Sequence, residues 1–360
     1  MYQLMNRDTV VASLEERYEY GEFTYDIIEQ YDAYLPYGFT SMDEWIDDRQ
    51  IAKHRTSIKK LMVELGIDNR KGFVDMVRCV SLTDTFWMRR DDSGLNWADV
   101  SLYENNFDDV VARIAFDGVG MYGRQFSSTS PEFGTSGSFD KCWVRESDGP
   151  HLLKRGSSGY ANAGFEPYSE KLCSDLLDAA GISHVPYTLC KYHGKLASDC
   201  PLFTSEAHGF VSTGRIMKGH LRTQDVLKFA ADHGGEMAFR EMVVMDAVCA
   251  NVDRHAGNYG FMTDNQTGEI LGMAPLFDQN MALLPYLMEH DDLNEYLGYQ
   301  SPKIGRNFVD MARALITPAI RSKLIALKDF EYEDPGFGYP QWKLDVANKL
   351  KRNQIDAILA

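Results

Sequence analysis

Positive charge is in short supply in this chain: 37 Lys and Arg stand against 53 Asp and Glu, a formal net charge of −16 over 360 residues. Broad, unassisted binding to nucleic acid relies on neutralising phosphates, so that deficit argues against direct nucleic-acid contact. Any DNA association would come through a partner, and solubility is the plainer meaning of the charge. Long apolar runs are missing too: no stretch of eighteen occurs, so no membrane span is expected. The start, Met1-Tyr-Gln-Leu-Met-Asn-Arg7, is not a basic region followed by an apolar one, so no cleaved leader is expected. The six cysteines are scattered without paired short spacings, which points to reduced thiols and a cytoplasmic setting. Cys190, His193 and Cys200 lack a fourth metal ligand. No Gly-Lys-Ser/Thr follows a glycine-rich turn, so a Walker A loop is excluded.

What is present is enough apolar material, 44% hydrophobic and 12% aromatic, to bury a full core. Residues 1 to about 55 interleave Tyr18, Tyr20, Tyr25, Tyr31, Tyr34 and Tyr37 with acids. They read as a poorly regular segment lying on the body through its rings, or as a sticky surface. Helices are expected over Ser57–Leu65, closed by Gly66, and over Phe107–Ala115. The first 118 residues therefore read as a mostly helical accessory region.

Residues 117 to 138 are rich in Gly and hydroxyl groups, and Lys141–Arg145, the turn Ser147-Asp-Gly149 and His151–Lys154 then read as a β-hairpin. A turn through Gly134, Gly137 and Ser138 entering that hairpin can place backbone N–H groups over phosphates. Lys154 closes the second strand. Glu170 opens an amphipathic helix that stops at Gly181, where it can pair with Lys154; Glu166, one turn earlier, competes for that role. Short strands follow, then Ser205–Phe210, with Glu206, where a two-lobed kinase has the hinge that meets adenine. The rest is helical, and Asp246 on the apolar face of the helix Gly235–Ala250 reads as a buried support.

That helix delivers the chain to Asn251-Val-Asp-Arg-His-Ala-Gly-Asn258. Asp253 and Asn258 have the separation of a catalytic carboxylate and a metal-binding amide in kinase loops. Asp278, in Pro275-Leu-Phe-Asp, falls where a second metal-binding oxygen belongs. Phosphoryl transfer asks for little more than a carboxylate near the attacking hydroxyl and oxygen ligands for Mg²⁺.

This ordered set resembles the HipA-like family of bacterial Ser/Thr kinases over residues 120 to 360. The resemblance implies an α+β, two-lobed protein-kinase-like fold, with a small β-rich ATP lobe over 119–210 and a helical lobe over 211–360. It implies ATP and Mg²⁺ as cofactors, Asp253 as base, Asn258 and Asp278 as metal ligands, and Lys154, partnered by Glu170, on the phosphates. A protein Ser/Thr substrate goes with it, as does self-phosphorylation at Ser127, Ser128, Thr135, Ser136 or Ser138. Toxin activity and an antitoxin-like partner are further implications; against them, the first 115 residues do not read like the β-rich N-terminal subdomain of the long-form toxins. The loop is also similar to that of phosphoinositide kinases, in which the His assists transfer, so His255 either does so here or braces the loop. The alternatives are a lipid or small-molecule kinase and a pseudokinase scaffold. Retention of Lys154, Asp253, Asn258 and Asp278 together counts against the scaffold.

Overall fold

In this computed structural model the described residues are 1–50, 55–118, 127, 129–219 and 221–360. Ser128 and most of the glycine-rich run 117–126 lie outside them. The chain forms two compact units, which cut it differently from the segments expected above. The first holds Met1–Lys154, Thr204–Val211 and Met262–Ile270; the second holds Arg155–Phe203, Ser212–Phe261 and Leu271–Ala360.

The first unit opens not as an irregular segment but as an antiparallel sheet. Strands β1 (Tyr2–Asn6), β2 (Thr9–Glu19) and β3 (Glu22–Gln30) are joined by β4 (Phe86–Arg90) in the order β3-β2-β1-β4. Rings and acids there alternate with period two, as a strand with one buried face requires. Leu14 and Tyr25 are buried, while Glu15 lies opposite Asp26 and Arg17 reaches both. Tyr20 and Gly21, both with positive φ, supply the tight two-residue turn. Phe23 and Tyr25 of β3 are met by side chains: Asp43 accepts from the Tyr25 N–H at 2.9 Å and Arg70 donates to the Phe23 carbonyl at 3.4 Å. Tyr34 and Tyr37 donate to the carbonyls of Asn265 and Gly268.

From residue 42 onward short helices appear, interrupted by β4. Helices α1 (Met42–Asp47), α2 (Thr56–Leu65), α3 (Arg70–Gly72), α4 (Trp97–Val100) and α5 (Asp109–Asp117) follow. Asp108 caps α5 by accepting from the N–H groups of Val110 and Val111. The expected hairpin forms from β5 (Lys141–Glu146) and β6 (Gly149–Arg155), pairing Lys141 with Lys154.

In the second unit α6 (Glu166–Ala179) precedes the hairpin of β7 (Thr188–Tyr192) and β8 (Lys195–Pro201). Helices α7 (Thr213–Ile216), α8 (Thr223–Asp232) and α9 (Glu236–Val248) come next, then α10 (Leu293–Gly298), α11 (Phe308–Leu315), α12 (Pro318–Ala326) and α13 (Gln341–Leu359). Helix α9 is the centre: α8, α11 and α13 all pack on it, and Phe239, Val244 and Val248 are fully buried. Gln354 of α13 donates to the Ala247 carbonyl at 2.7 Å, fixing that helix against the end of α9. In the first unit, β9 (His208–Ser212) and β10 (Gly260–Asp264), which lie chiefly there, pair with one another. Among the described residues no helix is long and apolar enough to cross a membrane.

Candidate active site

Helix α9 ends with the Asn251 N–H on the Asp246 carbonyl at 2.8 Å and the Ala250 N–H on the Ala247 carbonyl. Ala250 takes the left-handed conformation (φ +50) that usually falls to glycine at such a stop. The loop that follows is built around two buried groups. Asp246 is 6% exposed and Arg254 2%. The guanidinium grips the carboxylate with two bonds, Nε to Oδ2 at 2.9 Å and Nη2 to Oδ1 at 3.1 Å. Asn251 adds a third bond to the same carboxylate, at 2.9 Å. Burial works against the charge on Arg254, but Asp246 and then Asp278 outweigh it and leave its pKa raised.

The remaining donor of Arg254 does the joining. Nη1 donates to the Asn258 carbonyl at 2.8 Å and also to the Phe277 carbonyl. One buried side chain thus ties the end of α9, the loop and the residue before Asp278 into one body. Asp246 has the supporting place expected of it, and Arg254 braces the loop through it. Inside the loop, the Asp253 N–H donates to the Asn251 side chain at 3.1 Å, and the Asp253 carbonyl accepts from the His255 N–H at 2.8 Å and from Asn258 Nδ2 at 3.0 Å. The Asp253 carboxylate is half-buried. His255 is exposed, and its Nδ1 accepts from the Gly257 N–H at 3.0 Å.

Asp278 also has a left-handed backbone (φ +60), as do Leu283 and Leu284. Its N–H donates to the Tyr187 hydroxyl at 3.1 Å, and the neighbouring Leu276 is held by a parallel bridge to His184. Such conformations in non-glycine residues concentrate where a backbone is held for a function. Sequence reading missed Tyr187; nothing in the sequence marks it, because it is set by tertiary packing alone.

Whether these residues suit Mg²⁺ can be tested on the donors. With Asn258 Nδ2 turned to the loop, the amide oxygen and the Asp278 carboxylate offer oxygen donors only. Asn280, 8% exposed, has an Oδ1 with no hydrogen-bond partner among the described residues. Oxygen donors and few carboxylates fit an ion that keeps several waters and binds substrate phosphates. No three His, Cys, Asp or Glu side chains gather as a metal cage among the described residues, the Cys190, His193 and Cys200 group included.

Glu170 and Glu166 both lie in α6, 1% exposed. Glu170 accepts from the Ser198 hydroxyl. Glu166 accepts from the Tyr286 hydroxyl at 2.7 Å. Lys154, Gly134, Gly137, Ser138 and Glu206 belong to the first unit; Glu170, Asp253, His255, Asn258 and Asp278 belong to the second. Lys154 is 5% exposed at the end of β6. The Glu206 carboxylate accepts from Trp97 Nε1 at 2.6 Å and Ser101 at 2.8 Å, which ties it to the body of its own unit.

No family model matches the chain, and no curated protein matches it in sequence. Solved structures do match. HipA of the Shewanella oneidensis MR-1 toxin–antitoxin system, solved with HipB and its operator DNA, aligns over 100% of this chain and 99% of its own, with a TM-score of 0.56 at 10% identity. The chain has the HipA fold. The Helicobacter pylori proinflammatory kinase CtkA aligns over 61% of this chain and 92% of its own, with a TM-score of 0.46 and 16% identity. The HipA match runs through the whole chain, including the sheet β3-β2-β1-β4. The first 115 residues, expected to lack a β-rich subdomain, do hold a four-stranded sheet, formed in part by the acidic, tyrosine-rich strands, and the match covers them. The α+β class expected from the sequence stands.

Proposed function

We propose that the chain is an ATP- and Mg²⁺-dependent Ser/Thr protein kinase of HipA-like type. The observation that carries this reading is the Arg254 joint, which holds the backbone of Asn258 and of the residue before Asp278 on one guanidinium beside the Asp253 loop. Asn258 and Asp278 would hold Mg²⁺, which when bound neutralises phosphate charge. Asp253 would orient the incoming hydroxyl and take its proton. Lys154, with Glu170 as the partner the resemblance implies, would contact the phosphates under the turn of Gly134, Gly137 and Ser138, and the segment at Glu206 would meet the adenine. His255, with Nδ1 engaged by its own loop, fits a bracing role better than transfer chemistry.

Self-phosphorylation would fall on Ser127, Ser136 or Ser138. These three are exposed, whereas the Thr135 hydroxyl donates to the Pro131 carbonyl at 2.7 Å and accepts from Trp143 at 2.9 Å. An antitoxin-like protein partner follows from the HipA fold, since that HipA was solved with HipB and DNA. Six cysteines scattered without paired short spacings suit the cytoplasm.

The test is phosphate transfer from labelled ATP with Mg²⁺, comparing the wild type with Asp253→Ala and mapping the product by mass spectrometry. Label on Ser or Thr in the wild type alone is the expected result. Mg·ATP binding without label would redirect the search to lipid or small-molecule acceptors; absence of both would leave a binding scaffold.

A further inference from the structure

In the second unit, the chain that leaves Asp278 ends in a stretch whose carbonyls are held by other elements. Lys343 Nζ, in α13, donates to the Pro285 carbonyl at 2.8 Å and the Leu287 carbonyl at 3.0 Å. Asn162 Nδ2 donates to the Tyr286 carbonyl between them. Lys343 is 4% exposed, and its ammonium lies 4.3 Å from the centre of the Phe165 ring and 5.0 Å from that of Trp342. Phe165 precedes α6, and the next residue, Glu166, accepts from the Tyr286 hydroxyl at 2.7 Å. Lys343 and Tyr286 thus form one joint between α13, the far end of the Asp278 run and the start of α6, the helix that carries Glu170.

An amide could donate to such carbonyls without burying a charge. Burial instead works against the Lys343 ammonium and, with Glu166 and Asp291 opposing, brings its pKa from 10.5 down to about 8. Tyr286 does not titrate in that range, because burial and then Glu166 push its hydroxyl up. We propose, on the basis of the kinase reading above, that Lys343 is a positioning residue for phosphoryl transfer, fixing α6 against the Asp278 run. Above about pH 8 it loses the charge that strengthens both carbonyl bonds, and transfer falls. The fold does not weaken with it. The folded pKa lies below the unfolded 10.5, so the unfolded chain holds more protons in that window and this group's contribution to stability rises with pH. Slower transfer from a firmer fold is a signature that a merely structural lysine lacks.

Transfer from labelled ATP and thermal unfolding are followed together on the full chain, from below to above about pH 8, for the wild type, Lys343→Gln and Lys343→Arg. Wild-type transfer should fall through that pH while its unfolding temperature does not. The Gln variant, neutral throughout, should transfer about tenfold or more slowly at the lower pH and show no further fall. The Arg variant, charged throughout, should keep most of the rate and lose the fall; either variant decides alone if the other fails to fold. Wild-type speed in the Gln variant overturns the proposal and leaves the kinase reading intact. A fall that persists in the Arg variant overturns it too, since another group would then be titrating. A wild type that labels nothing at any pH overturns the kinase reading, and this role with it.

Discussion

Asp246 and Arg254 form the buried pair on which the loop depends, and buried pairs are costly to break from one side. Asp246→Ala leaves a guanidinium 2% exposed with no carboxylate. Loss of about 3–5 kcal/mol in urea unfolding is expected, together with loss of phosphate transfer. Asp278→Ala should abolish transfer from labelled ATP while the backbone N–H bond to Tyr187 remains possible. A second buried acid has a pH signature. Burial pushes the Glu132 carboxyl from 4.5 up to about 7, against the opposing Trp143 N–H and Arg55. Its folded pKa lies above the unfolded one, so its contribution is full below about pH 4.5 and is lost as pH rises through 7. Relative to Glu132→Gln, the wild type should lose roughly 3 kcal/mol between pH 4.5 and 8 in denaturant titrations. Asp246 was legible as a support because it interrupts an apolar helical face. Glu132 was not, because a Pro-Glu-Phe in a loop carries no periodicity to reveal burial.

The loop between β6 and α6 shows how an element closes without regular structure. A Cβ on Gly156 would meet the Gly164 Cα at 2.7 Å and Glu166 Oε2 at 2.8 Å, so the two glycines form a neck. Gly156→Ala has to push backbone apart and should cost about 1–3 kcal/mol. Gly159→Ala at the tip meets open space and bears only its positive φ, which costs about 1 kcal/mol. Ordering the two by thermal unfolding checks the account; a larger loss at Gly159 would contradict it. Helices were the most readable elements, since α2, α5 and α9 carry their apolar stripes and stops within a few residues. Strands β2 and β3 were hidden because Tyr, Glu and Arg occupy the outward positions that a reader scans for polar loops. Only Val11, Ala12, Leu14 and Tyr25 point inward to give the period away.

At the scale of the molecule, the first unit joins residues far apart in sequence. Arg145 of the hairpin donates to the carbonyls of Leu102, Tyr103 and Asn105, and Arg55 holds the glycine-rich turn. Asn265 donates to the carbonyls of Ser205 and Glu206. Deleting residues 1–118 strips the hairpin of these carbonyl partners and of Arg55. The truncated chain should lack a cooperative thermal transition for its remaining first-unit residues and should not bind Mg·ATP; a folded, nucleotide-binding fragment would show that the accessory reading was right. Composition could not reveal this unit, because its three segments are separated by whole helices of the other one.

The guanidinium of Arg254 has a consequence for descent. The residues by which a reader would recognise a working loop are Lys154, Asp253, Asn258 and Asp278, yet the spacing of the last two depends on a carboxylate in the preceding helix. A descendant that lost only Asp246 would keep the whole recognisable signature and transfer nothing. Its inactivity would be written in a helix that no signature includes.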